Sequence, residues 1–202
     1  SVISVRADSP IRTLRDLLAR LQADPQSLAF GMVSRGGSNH LALARAAKSS
    51  GVDPKQLKTI VFRTNTESYL GLVGGHLHAV ASSATAAHPF LKQGSIRIIA
   101  ISSQQRQPGD LANVPTMREQ GVEGRTVTNW RGIFAPPGIT AAQVTYWDET
   151  IAKVATTADW KKVLDHEHTE GQFLRSRDFA KFLDSEYAVS RAILTDLGFA
   201  KQ

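Results

Sequence analysis

Apolar residues run along the chain in short blocks separated by breaks at glycine, proline or small polar residues. Residues 1–7, with Val2, Ile3 and Val5, read as a strand that Ser9-Pro10 ends. Thr13 is predicted to cap a helix carrying Leu14, Leu17, Leu18 and Leu21, closed by Asp24-Pro25. Leu28 to Val33 reads as a buried strand. The polar loop Ser34-Arg35-Gly36-Gly37-Ser38-Asn39 follows it, then a helix from Asn39 to Ser50 with Gly51 past its end. The pattern repeats with a strand over 59–62, the turn Arg63-Thr64-Asn65-Thr66, and a helix with Tyr69, Leu70, Leu72 and Val73 ending at Gly74-Gly75. A strand over 77–81 leads through Ser82-Ser83 into a helix to Gln93, and Ile96 to Ile101 is a strongly apolar strand. Such alternation predicts an α/β domain with parallel pairing.

Beyond Ile101 the character changes. Residues 104–115 are polar and irregular, and Met117 to Gln120 makes one helical turn before Gly121. Val127 to Ala135 reads as a strand ended by Pro136-Pro137. Three helices are then predicted, capped by Thr140, Thr157 and Ser176. The last carries an apolar face of Phe179, Phe182, Leu183, Tyr187, Ile193, Leu194 and Leu197. Trp147 and Trp160 fall on amphipathic helices and are expected in the core.

Length and composition narrow the class. The 202 residues allow one large or two small domains, and 42% hydrophobic with 21% charged residues argues against wholesale disorder. The absence of cysteine excludes a disulfide scaffold, a thiol nucleophile and a cysteine metal site. No run approaches 18 apolar residues, and the N-terminus shows no signal-peptide pattern. The net charge of +6 favours anionic partners. Its lysines and arginines are spread along the chain, with no basic block of the kind nucleic-acid footprints use, so nucleic acid is not the expected partner.

The candidate chemistry lies where strands turn into helices. In the loop after the second strand, Gly36 and Gly37 let backbone approach a ligand, the following helix start favours an anion, and Ser34, Ser38 and Asn39 add polar side chains. A plain helix cap by Ser38 or Asn39 accounts for the same residues equally well. The loop is neither a Walker loop nor G-x-G-x-x-G. A nucleophile elbow at Ser34 lacks its first glycine, since Met32 stands there. Thr64 with Asn65, and Ser82 with Ser83, occupy the corresponding places after the next two strands, where α/β sites gather. His40 is either a ligand contact or a capping or surface side chain. The pairs His76/His78 and His166/His168 are expected at the surface rather than on a metal, because no third ligand is placed with them. Arg131, in Asn129-Trp130-Arg131-Gly132, must face solvent, pair with a carboxylate or meet an anionic ligand.

Taken in order, several segments resemble the periplasmic receptors of tripartite tricarboxylate transporters, the Bug family. They are Asp8-Ser9-Pro10, the glycine–serine loop with Ser38-Asn39-His40-Leu41, Leu72-Val73-Gly74-Gly75-His76-Leu77, and Leu91 to Arg97. Val114-Pro115-Thr116, Glu119-Gln120-Gly121-Val122 and Trp130 to Pro136 complete the set. Asn129 to Gly132, Tyr146-Trp147 and Asp159-Trp160-Lys161 are similar to the tricarboxylate branch. The resemblance implies a type II periplasmic-binding-protein-like fold: one complete α/β ligand-binding domain over 4–125, and a crossover strand with C-terminal helices over 126–202 belonging to an incomplete first domain. It implies a small di- or tricarboxylate ligand, membrane transporter subunits as partners, a periplasmic location, no catalysis and no cofactor. The front third of the family's chain has no counterpart here, so exposed helix faces are expected, met either by self-association or by the helices swinging onto a neighbouring surface. Thr64, followed by Asn65, stands where the family usually has a glycine, while His78 and Ser82-Ser83 replace carboxylates it commonly carries, which suits a more highly charged anion. The expected ligand contacts are Ser34, Gly36, Gly37, Ser38, Asn39, Thr64, Asn65, Ser82 and Ser83, with Arg131 either at the ligand or bracing the hinge. The alternatives are a serine-dependent hydrolase and a non-binding interaction fragment.

Overall fold

A computed structural model describes residues 1–122, 130–167 and 171–198. The chain divides into two units, Ser1–Asn129 with Val189–Gln202, and Trp130–Ala188.

The first unit is built on a five-stranded sheet: β1 (Val2–Arg6), β2 (Ala29–Met32), β3 (Lys58–Val61), β4 (Ala79–Ser82) and β5 (Ile96–Ile101). Its spatial order is β3-β2-β4-β1-β5. β2 runs parallel to β3 and β4, as the alternation predicts. β1 runs antiparallel to β4 and β5 and lies between them. The expectation of wholly parallel pairing is therefore corrected. An apolar run such as Val2-Ile3-Ser4-Val5 is buried on both faces in either direction, so its sequence carries no sign of its polarity.

Helices α1 (Leu14–Ala23) and α2 (Ser38–Ser49) cover one face, and α3 (Asn65–Val73) and α4 (Ala84–Lys92) the other. α1 starts where the sequence places it. Thr13 Oγ1 accepts the Asp16 N–H at 3.1 Å, and the Asp16 carboxylate accepts the Thr13 N–H at 2.9 Å, a reciprocal cap. Its leucines 14, 17, 18 and 21 pack with Phe30, Met32 and the alanines of α2. On the opposite face Tyr69, Leu72, Leu77, Val80 and Ile98 form a second cluster. Each large side chain so buried contributes about 1.5–3 kcal/mol. Gly31 is fixed by this layer. A Cβ there would stand 2.6 Å from Leu77 Cδ1 and 3.3 Å from Ser68 Cβ, so only glycine lets α3 lie this close to the sheet.

In the second unit α5 (Ala141–Ala155) and α6 (Ala158–His166) are capped by Thr140 and Thr157 as expected. The long helix α7 (Ser176–Asp196) is capped differently. Ser176 is its first helical residue, and Asp148 on α5 accepts both its N–H (2.9 Å) and its hydroxyl (2.8 Å). Trp130 packs edge-on against Phe179 and Phe182, with ring centroids 5.6 and 6.2 Å apart. The strand expected over 127–135 lies partly outside the described residues. Trp130 to Ala135 has no regular secondary structure, because Gly132 and the prolines that follow offer no pairing edge. Trp147 and Trp160, expected in the core, are 53% and 39% exposed, and neither α5 nor α6 holds a buried residue.

The end of α7 belongs to the first unit. Ile193, Leu194 and Leu197 pack on Leu41 and Ala44 of α2, and Lys48 pairs with Asp196. The sequence pattern assigned this whole apolar face to one domain. The structure gives its last turns to α2, since Leu41 and Ala44 form a second apolar stripe there.

Candidate ligand site

Three strand-to-helix turns meet at one edge of the sheet. β3, β2 and β4 are neighbours and parallel, so the turns into α3, α2 and α4 leave from the same side, with the β2 loop in the middle. Nine of the ten expected contacts lie here: Ser34, Gly36, Gly37, Ser38 and Asn39 after β2, Thr64 and Asn65 after β3, and Ser82 and Ser83 after β4. Arg131 lies in the second unit, where it is exposed.

The three helix starts are not alike. Thr64 caps α3 by accepting the Glu67 N–H at 3.1 Å, and Ser83 caps α4 by accepting the Ala86 N–H at 3.3 Å. α2 has Gly37 at its cap position and no side-chain cap. Capping by Ser38 or Asn39, the plainer account of the loop, is thus not what the structure shows; both lie inside the first turn. The first-turn N–H groups of α2 consequently have no acceptor within their own helix. No acidic residue stands in the first turn of α2 or α4, whereas α3 carries Glu67, whose carboxylate accepts the Arg63 N–H. The helix dipoles and the uncapped α2 make this edge attractive to an anion.

His40, for which the sequence left a ligand contact, a cap or a surface place open, and Arg35 hold the loop in shape. Gly36 takes a left-handed backbone (φ +78°), and its N–H donates to His40 Nδ1 at 2.9 Å. His40 is 3% exposed. Burial, and then the positive charge of Arg35, hold its imidazole below the ordinary histidine range. Arg35 reaches from the loop to the carbonyl of Thr59 on β3 at 3.1 Å, tying the two turns together. The Ser34 hydroxyl is directed at the Arg35 carbonyl oxygen, 3.3 Å away, not at an imidazole. The arrangement therefore lends a serine hydrolase no support of its own.

Ser82 is fully buried and faces inward. Its hydroxyl bonds Tyr69 Oη at 2.7 Å and donates to the Ser83 carbonyl at 3.0 Å, and Tyr69 Oη meets Ser4 Oγ at 3.0 Å. A buried hydroxyl chain from β1 through α3 thus anchors the β4 turn. Burial pushes the Tyr69 phenol up to about 12. The neutral phenol is the form the fold favours. Tyr69 therefore stabilises the fold fully below its unfolded value of about 10, and that stability is lost as pH rises through about 12. Tyr69→Phe should cost about 1–3 kcal/mol by stranding the serine hydroxyls. It should also flatten the alkaline limb of the stability curve, measured by urea unfolding across pH 8–12.

Asn39 Oδ1 and Asn65 Oδ1, in the first turns of α2 and α3, are both enclosed without a hydrogen-bond partner. Among the described residues, no group of three or more histidine, aspartate or glutamate side chains is arranged to hold a metal. The His76/His78 pair is exposed, and His78 Nδ1 accepts the Ala29 N–H. His168 lies outside the described residues. A separate cleft of about 490 Å³ follows β5, lined by Gln104, Gln105, Arg106, Thr116, Arg118 and Glu119, with Arg106 paired to Glu119.

A sheet of this order, with three strand-to-helix turns at one edge and the end of α7 returning to the same unit, defines a type II-like periplasmic-binding-protein fold. Residues 1–199 match the family described as tripartite tricarboxylate transporter family receptor, and the chain belongs to that family. The family is one of solute receptors rather than enzymes. A Cupriavidus necator relative, the UPF0065 protein in the gbd 5′ region, is 29% identical over 98% of this chain and 58% of its own length. Protein BugT of Bordetella pertussis is 27% identical over 62% of this chain and 37% of its own length. A TctC solute-binding protein from Polaromonas superposes with a TM-score of 0.79 at 25% identity, covering 97% of this chain and 66% of that one. An R. palustris protein with adipate gives a TM-score of 0.83 at 23% identity, over 98% and 64% of the two chains. MatC from Rhodopseudomonas palustris with bound malate gives 0.78 at 19% identity, over 96% and 65%. The chain spans 58% and 61% of the length of two curated relatives that it matches almost end to end.

Proposed function

We propose that this chain is the ligand-binding part of a periplasmic receptor that captures a small di- or tricarboxylate for a tripartite tricarboxylate-type transporter. The observation that carries the reading is the uncapped start of α2 between two further helix starts, at the shared edge of three parallel strands. Family membership and the carboxylates held by the adipate- and malate-bound neighbours support it. The amides of Ser38 and Asn39 take one carboxylate. The turn at Thr64-Asn65 and the cap at Ser83 flank it, while Ser82 positions the β4 turn from below. The enclosed carboxamide oxygens of Asn39 and Asn65 accept from a hydroxyl of the ligand or a bridging water. Charge-assisted hydrogen bonds contribute about 1.5–3 kcal/mol each, so two or three supply much of the roughly 8 kcal/mol that micromolar affinity requires.

Calorimetry and thermal-shift measurements with malate, adipate and citrate test this. At a ligand concentration of about 100 times Kd, stability should rise by about 2.7 kcal/mol. Hydrolysis of generic esters without carboxylate binding would overturn it.

A further inference from the structure

The proposed ligand loop is held by a contact that depends on the protonation of one ring nitrogen. His40 lies in the first turn of α2, four residues after Gly36, and is almost completely buried. Its Nδ1 accepts the Gly36 N–H at 2.9 Å. An amide nitrogen donates only, so Nδ1 must carry the lone pair, and a neutral ring then holds its proton on Nε2. Gly36 sits at φ +78°, a conformation with little intrinsic preference, and this bond is what ties its amide to the helix. Burial of the ring opposes its protonation, and so does the positive charge of Arg35 in the same loop.

We propose that His40 is the positioning residue of this loop: its neutral, Nε2-protonated imidazole fixes the Gly36 amide and so sets the geometry in which the α2 amides meet an anion. The proposal rests on the carboxylate-receptor reading for its consequence, but the coupling of His40 to Gly36 is a property of the ligand-free chain. Protonation puts a second hydrogen on the ring at Nδ1, which expels the Gly36 N–H and releases the loop. Lowering the pH should therefore weaken carboxylate binding, although the added positive charge acts in the opposite direction.

The experiment uses His40→Asn, which retains an acceptor oxygen near the place of Nδ1, and His40→Leu, which fills the space without one. In the ligand-free wild type, the Gly36 amide resonance should shift with the same pH midpoint as the His40 ring nitrogens. Those nitrogens should report the Nε2–H tautomer at neutral pH. With malate, adipate and citrate as probes, His40→Leu should bind at least about tenfold more weakly, the loss of roughly one hydrogen bond. His40→Asn should stay within a few-fold of wild type. A Gly36 amide that ignores the ring titration overturns the proposal. So does a folded His40→Leu that binds as wild type, a His40→Asn no better than His40→Leu, or wild-type affinity that rises as the ring protonates. If no carboxylate binds any form, the receptor reading fails, while the Gly36 and ring titrations still decide the coupling.

Discussion

Replacing Gly36 and Gly37 together by valine should abolish carboxylate binding in a chain that still folds. Gly36 has φ +78°, where a β-branched residue is strained by about 1–2 kcal/mol or more, and a Cβ there would come within 3.3 Å of Leu194 Cδ2. At Gly37 a Cβ would stand 3.1 Å from Ser34 Oγ and 3.3 Å from Ser34 Cβ, so a valine there pushes against Ser34. The two side chains would also cover the first-turn amides of α2, which has no side-chain cap. Gly51→Ala is the matched control. It carries the same backbone strain at φ +81°, a Cβ there meets nothing within 4 Å, and it lies at the far end of α2. The control should lose stability and keep affinity, whereas the double variant should lose affinity beyond detection by calorimetry. Unchanged affinity in a folded double variant would contradict the site.

The second large effect concerns the second unit. Ile133, Phe134, Tyr146 and Tyr187 are each more than 60% exposed, and Trp147, Val154 and Val163 about half exposed. The exposed helix faces that the missing front third implies are found only in part. Phe179 and Phe182 are in fact partly sheltered by Trp130, and Ile193 by α2. The faces of α5 and α6 keep the exposure. Single exposed apolar residues are ordinary, but this many on neighbouring helices exceed what monomers usually leave open. The isolated chain should therefore self-associate. Light scattering should give a mass above 21.9 kDa that falls when Tyr146 and Trp147 are replaced by serine. A stable wild-type monomer at high concentration would refute this.

Much of the first unit was legible because its signals are local. The cap at Thr13 and the breaks at Asp24-Pro25 and Gly51 each act within a few residues, as do the caps at Thr140 and Thr157 in the second unit, and the helices follow them closely. What escaped depends on partners distant in sequence. The direction of β1 is decided by β4 and β5, about 80 and 100 residues away, and an apolar run reads the same both ways. Tyr69 counted as one apolar position on a helix, yet its hydroxyl joins β1 to the β4 turn. Ser82 and Ser83 are adjacent and alike, and only the pleat turns one inward to Tyr69 and leaves the other as a cap. The helical period on α5 and α6 was real, but period reports a face and not what covers it, so Trp147 and Trp160 were misplaced. The loop was visible as a glycine-rich turn. His40 as its brace has a signal that sequence alone offers: a histidine four residues after a glycine, inside the first turn of the following helix.

The most direct test of the central claim is an amide-resolved NMR titration of this chain with malate, adipate and citrate, against chloride at matched ionic strength. The method registers weak binding, so a loosely held ligand remains visible. Saturable shifts should concentrate on Gly36, Gly37, Ser38 and Asn39, with smaller ones at Thr64, Asn65, Ser83 and Ala84, and chloride should not reproduce them. Saturable shifts centred instead on the Arg106–Glu119 cleft, or none beyond those of chloride for all three acids, would contradict the assignment of these turns as a carboxylate site.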